Sequence, residues 1–154
     1  MIFKNSLILL LCLFGAVYGK FIQCEEEEGK SRIGEVIDVE VSGCQNTKYC
    51  PLIRGRNATI TITFKANEDS DELKSVVHGE VLSVLVPFSL PNGNGCSESG
   101  VTCPVKSGQT YKYSTSLPVL SEYPKMKLRV KWQLQNKESS DFVCVFIFAQ
   151  IKDA

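Results

Sequence analysis

Between Ser121 and Gln135 apolar and polar residues alternate. Met126, Leu128, Val130, Trp132 and Leu134 fall on one side, and Lys125, Lys127, Arg129, Lys131, Gln133 and Gln135 on the other. A period of two belongs to a strand with one buried face, because successive side chains of an extended chain point to opposite sides. The pattern leaves one question open, whether the apolar face meets a second sheet or a guest molecule.

The same period recurs along the chain. In Glu35–Val41, Ile37, Val39 and Val41 oppose Asp38 and Glu40. In Asn57–Ala66, Ala58, Ile60, Ile62 and Phe64 oppose Asn57, Thr59, Thr61, Thr63 and Lys65, and the segment is rich in the β-branched residues that suit a pleated surface. Val76–Phe88 reads as a strand that is apolar on both faces after Glu80, and Gln109–Val119 and Phe142–Ile151 complete the set. Turn-forming runs separate these segments, at Asn67–Asp71, Pro91–Gly95, Lys106–Gly108 and Asn136–Asp141. Short strands at such spacing, with no convincing amphipathic helix, predict an all-β sandwich or barrel.

The N-terminus reads as a secretory signal peptide: Lys4, an apolar run from Leu7 to Phe14, and small residues up to Gly19. The run is too short to span a bilayer, which takes about 20 apolar residues. Cutting after Gly19 leaves residues 20–154 as one secreted domain. Of seven cysteines, Cys12 departs with the leader, and an even set of six remains to pair in an oxidising compartment. Their number alone leaves the pairing open. Cys44 with Cys50 and Cys96 with Cys103 each flank turn residues, which leaves Cys24 to meet Cys144.

Composition narrows the function classes. With 17 basic and 17 acidic residues there is no net field to hold nucleic acid. His78 is the lone histidine, and its neighbours Val77 and Gly79 resemble no nucleophile motif, so a structural imidazole at a strand end is expected. With the cysteines in disulfides, no metal cluster and no cofactor are expected. Glu25–Glu28 reads as a solvated acidic run. No catalytic constellation stands out, and the chain reads as a non-enzyme. Asn57-Ala-Thr59 is a glycosylation sequon on the polar side of its strand, where a glycan would point to solvent.

Taken together, these residues resemble the Niemann-Pick type C2 family. Cys44…Cys50-Pro-Leu…Gly55, Val76-Val-His-Gly79, Val86-Pro-Phe88, Cys96…Cys103-Pro, Leu117-Pro-Val119, Ser121-Glu-Tyr-Pro124, Lys131-Trp-Gln-Leu134 and Cys144 follow the family's order and spacing over essentially the whole mature chain. The family consists of secreted, sterol-binding members of the ML lipid-recognition superfamily. The resemblance implies an immunoglobulin-like β-sandwich of two antiparallel sheets, splayed around an internal apolar ligand cavity. It also implies the pairs Cys24–Cys144, Cys44–Cys50 and Cys96–Cys103, the same as those argued from proximity.

The family's pocket wall falls on Phe88, Pro118, Val119, Tyr123, Pro124, Val130 and Trp132, and further on Val86, Leu128, Val145 and Ile147. Pro118 and Pro124 flank a segment, Val119–Tyr123, suited to the rim of a mouth. Two residues depart from the pattern. Val145 stands where vertebrate sterol carriers tend to have Trp, and Glu80 where an apolar residue is common. Both suit a carrier of fatty acids or other small hydrophobic molecules, as in the family's expanded arthropod branches. The resemblance therefore implies a secreted carrier of a sterol, fatty acid or semiochemical, in extracellular fluid or the lysosomal lumen, with a membrane receptor as a further candidate partner. A lipid-sensing interaction protein of innate immunity is the alternative from other superfamily branches.

Overall fold

The computed structural model describes residues 21–154, so the signal peptide read in residues 1–19 lies outside the described residues. Nine strands form two facing sheets. In chain order they are β1 (Phe21–Gln23), β2 (Gly34–Val41), β3 (Cys50–Ile53), β4 (Asn57–Ala66), β5 (Lys74–Val81), β6 (Val84–Pro87), β7 (Thr110–Pro118), β8 (Met126–Gln135) and β9 (Asp141–Lys152). One sheet runs β1-β9-β8-β5-β6, with β3 also on β9, and the other runs β2-β4-β7. The pairing is antiparallel except for β3, which lies parallel to β9. Pro51 is tolerated in β3 because an edge strand needs hydrogen bonds on one side only. Among the described residues no helix is long and apolar enough to cross a membrane.

The alternating segments fold as their pattern dictates. On β8, Leu128, Val130, Trp132 and Leu134 are buried, and on β4, Ala58, Ile60, Ile62 and Phe64. Two expectations fail. Ile37 does not share the inner face with Val39 and Val41: the register slips between Val36 and Asp38, so Val36 pairs with Phe64 while Ile37 is 54% exposed. A bulge residue of this kind breaks the period of two locally. Val76–Phe88 is likewise not one strand but the hairpin β5–β6. Its two-residue loop is Leu82-Ser83, with φ of 48° and 66°. Left-handed conformation at both loop residues is the geometry that favours Asn-Gly. The change Leu82→Asn with Ser83→Gly is expected to raise the unfolding free energy by about 0.5–1 kcal/mol, read from a denaturant titration. It also removes a Leu side chain that is 94% exposed.

Side-chain size is graded along the sandwich. At one end aromatic rings fill the space: Phe64 packs on Tyr111 at 5.7 Å and on Phe142 at 5.9 Å, and Tyr113 on Trp132 at 6.3 Å. Toward the other end the inner faces carry Ala58, Ile60 and Leu117 on the smaller sheet and Val130, Ile147 and Ala149 on the larger.

Disulfides Cys24–Cys144, Cys44–Cys50 and Cys96–Cys103 are formed. Cys44–Cys50 lies where the chain passes between sheets from β2 to β3, and Cys96–Cys103 lies in the passage from β6 to β7. The far edge of the larger sheet is the hairpin β5–β6. There β6 pairs with β5 alone, and all four of its residues are exposed.

Candidate functional site

Where the side chains become small, the sheets leave a cavity of about 30 Å³. Ala58, Ile60 and Leu117 wall it from the smaller sheet, and Val130, Trp132, Ile147 and Ala149 from the larger, with Val41, Cys50 and Leu52 closing the stapled edge. No charged side chain is buried among the described residues; the buried polar ones are Ser75, Ser99, Gln135 and Asn136. Such a space offers shape and dispersion contacts but no acid, base or nucleophile.

Toward the β5–β6 hairpin lies an aromatic pair. Phe88 meets Tyr123 edge to face, with ring centroids 5.5 Å apart. The Phe88 ring lies directly over Gly79, where a Cβ would stand 2.6 Å from Phe88 Cε2 and 3.2 Å from Leu128 Cδ1. Gly79→Ala therefore pushes the ring away from Tyr123. The expected result is a stability loss of about 1–3 kcal/mol in thermal unfolding, together with faster escape of a bound lipid.

The segment Val119–Tyr123 is pinned at both ends. Val119 N donates to Arg56 O at 2.9 Å and Gly55 N to Val119 O at 2.7 Å, while Arg54 Nη1 donates to Tyr123 O at 3.3 Å. On the Phe88 side, β6 is held by one neighbour, β5.

Of the residues read as pocket wall, Val130, Trp132 and Ile147 line the cavity. Val119, Leu128 and Val145 are buried in the interior. Phe88, Tyr123 and Pro118 are half-buried, Val86 and Pro124 are exposed, and none of the five lines the cavity. The facing wall of Val41, Ala58, Ile60 and Leu117 was not singled out in the sequence; its signal is the inward register of β4, shared with ordinary core. Glu80 faces outward, its two carboxylate oxygens accepting from Arg129 Nε and Nη2 at 2.8 Å each. It does not meet the ligand space. Asn57 is exposed at the start of β4.

Residues 19–151 match the family model described as the ML domain. The chain belongs to the ML-domain family. This ML domain is 40% identical over 123 residues to NPC intracellular cholesterol transporter 2 homolog a of Drosophila melanogaster, covering 79% of this chain and 83% of the fly protein. It is 40% identical over 114 residues to NPC intracellular cholesterol transporter 2 of Bos taurus, covering 74% and 75%. The crystal structure of a Niemann-Pick type C2 protein from Japanese carpenter ant superposes with a TM-score of 0.77 at 27% identity, covering 86% of this chain and 98% of that one. The resemblance read from the cysteines and the Glu-Tyr-Pro and Trp-Gln-Leu motifs thus holds.

Proposed function

We propose that this ML domain is a secreted lipid carrier that holds one hydrophobic molecule between its sheets and passes it to an acceptor; it is not an enzyme. The observation that carries this reading is the apolar cavity walled by both sheets, with no charged group buried around it. The names of the fly and bovine relatives, as cholesterol transporters, support it.

Energetics set the terms. Ligand pockets span roughly 300–1,000 Å³, whereas the closed space is about 30 Å³. Binding must therefore part the sheets, and the edge beside Phe88 and Tyr123, where β6 has one neighbour, is where parting costs least. Burying ~300 Å² of apolar lipid surface supplies roughly 7 kcal/mol before association costs, enough to offset a modest opening. The cargo is a sterol, a fatty acid or a similar small lipid. Leu82, Val84, Leu85 and Val86, exposed on the hairpin next to the mouth, form the surface across which it passes to a membrane or receptor. Cleavage of residues 1–19 and a glycan on Asn57 would release the protein to the extracellular fluid or the lysosomal lumen.

The test is native mass spectrometry on delipidated protein offered cholesterol and palmitic acid in competition. One lipid retained per chain supports the carrier reading, and the survivor identifies the class. Retention of neither defeats it.

A further inference from the structure

Equal totals of 17 basic and 17 acidic residues conceal a one-sided distribution on the outer face of the larger sheet. The period of two that turns Leu128, Val130 and Trp132 inward turns Lys127, Arg129 and Lys131 outward on β8, with Lys125 just before the strand. Alternate residues of a strand stand about 6.6 Å apart, so the four cations make a row of roughly 20 Å. On β9 the inward positions Val145, Ile147 and Ile151 leave Lys152 outward, at the Lys125 end of the row, since Met126 pairs with Ile151.

Aromatic rings hold these long side chains in place. Lys127 Nζ stands 4.8 Å from the centre of the Tyr49 ring, with Lys48 Nζ 5.6 Å from the same ring. The Arg129 guanidinium lies 4.3 Å over Phe146, and Lys131 Nζ is 6.0 Å from it. A cation over a ring face is attracted by the ring quadrupole, which restrains side chains that would otherwise swing freely. Rings covered in this way are not free to stack nucleobases.

Little negative charge answers the row. Glu80 accepts from Arg129 Nε and Nη2 at 2.8 Å each, and Asp153 is shared by Arg54 and Lys125. Among the described residues, Lys48, Lys127, Lys131 and Lys152 form no salt bridge. The row stops beyond Lys131, where Gln133 Nε2 donates to Asp141 at 3.1 Å and the acidic run Glu25–Glu27 lines the same hollow.

We infer that this outer face binds a linear sulfated polysaccharide of the glycosaminoglycan class. Cations in file along one strand match a polyanion whose charges also run in file, and each contact releases counterions from it. A bilayer would call for cations spread over an area rather than a line. The cavity lies between the sheets, and Asn57 is on the smaller sheet. A polysaccharide on this face therefore leaves both free, and its capture is independent of the carrier reading.

The experiment measures binding of a heparan sulfate octasaccharide to the protein as salt is raised from 50 to 200 mM. With four contacts, the logarithm of the dissociation constant should climb with log salt at a slope of about 3. Lys127→Gln with Lys152→Gln is expected to weaken binding about tenfold and to lower the slope by about 1.5. Lys65→Gln with Lys112→Gln, the same charge change on the outer face of the smaller sheet, should leave affinity within about twofold. Unaltered melting curves report that both double variants are folded. Equal weakening by the two pairs, or equal binding of the desulfated octasaccharide, overturns the inference. So does the absence of saturable binding at 50 mM salt, and tighter binding to phosphatidylserine vesicles than to the octasaccharide would assign the face to membranes instead.

Discussion

Replacing Cys24 and Cys144 together by alanine lowers the unfolding free energy by about 5 kcal/mol. The bridge joins residues 120 apart, so it holds closed most of the described chain in the unfolded state. In the chain-entropy account a loop of that size is worth about 5 kcal/mol, against roughly 2.5 for a loop of a few residues. Cys44–Cys50 and Cys96–Cys103 close separations of only 6 and 7. Domains of this size are stable by about 5–15 kcal/mol in all, so loss of the long bridge removes between a third and all of that stability, whereas either short bridge removes about half as much. The native state keeps part of the contact without sulfur, since Cys24 N donates to Cys144 O at 3.0 Å. Urea titrations of the three double variants check the order. Equal losses across the three would contradict the loop-length argument.

Ala58→Leu abolishes most lipid binding while sparing the fold. Ala58 lies on the inner face of β4 and walls the cavity, so three added carbons occupy the place a ligand would take. If the guest forgoes ~100 Å² of apolar contact, the loss is about 2.5 kcal/mol, or close to a hundredfold in affinity. Because three carbons overfill a space of about 30 Å³, stability should fall by about 1–3 kcal/mol. The two readouts separate blockage from unfolding: a hundredfold weaker dissociation constant with a single cooperative melting transition at modestly lower temperature is the expected pair.

How much of this was legible beforehand depended on whether a feature was local. On β4 and on β8 as far as Leu134 the alternation holds, and Ala58, Ile60, Ile62, Phe64, Leu128, Val130, Trp132 and Leu134 were named as inward from the sequence; a register shift after Leu134 buries Gln135 as well. On β2 a bulge at Ile37 shifts the inner face by one residue, and nothing in Glu35-Val-Ile-Asp announces it. The β5–β6 turn was hidden because Leu82 and Ser83 adopt left-handed conformations without being glycine or asparagine. The short strand β3 carries Pro51 and pairs with a strand far along the chain, so it has no local signature.

The cavity illustrates the same limit. Alternation marks an inward face but cannot distinguish a packed core from the wall of a hollow. That distinction lies in the small side chains on both walls, Ala58 and Ala149, which come together only in three dimensions. One wall was reachable through family resemblance, at Val130, Trp132 and Ile147.

The most direct measurement is photo-crosslinking with a sterol and a fatty acid that each carry a diazirine in the apolar tail, followed by mapping of the labelled residues. A lipid carried between the sheets labels inward positions on both, Ile60 and Leu117 from one and Val130 and Ile147 from the other. Labelling confined to the exposed hairpin residues Leu82 to Val86, with the interior untouched, would show a lipid held on the surface and contradict the account.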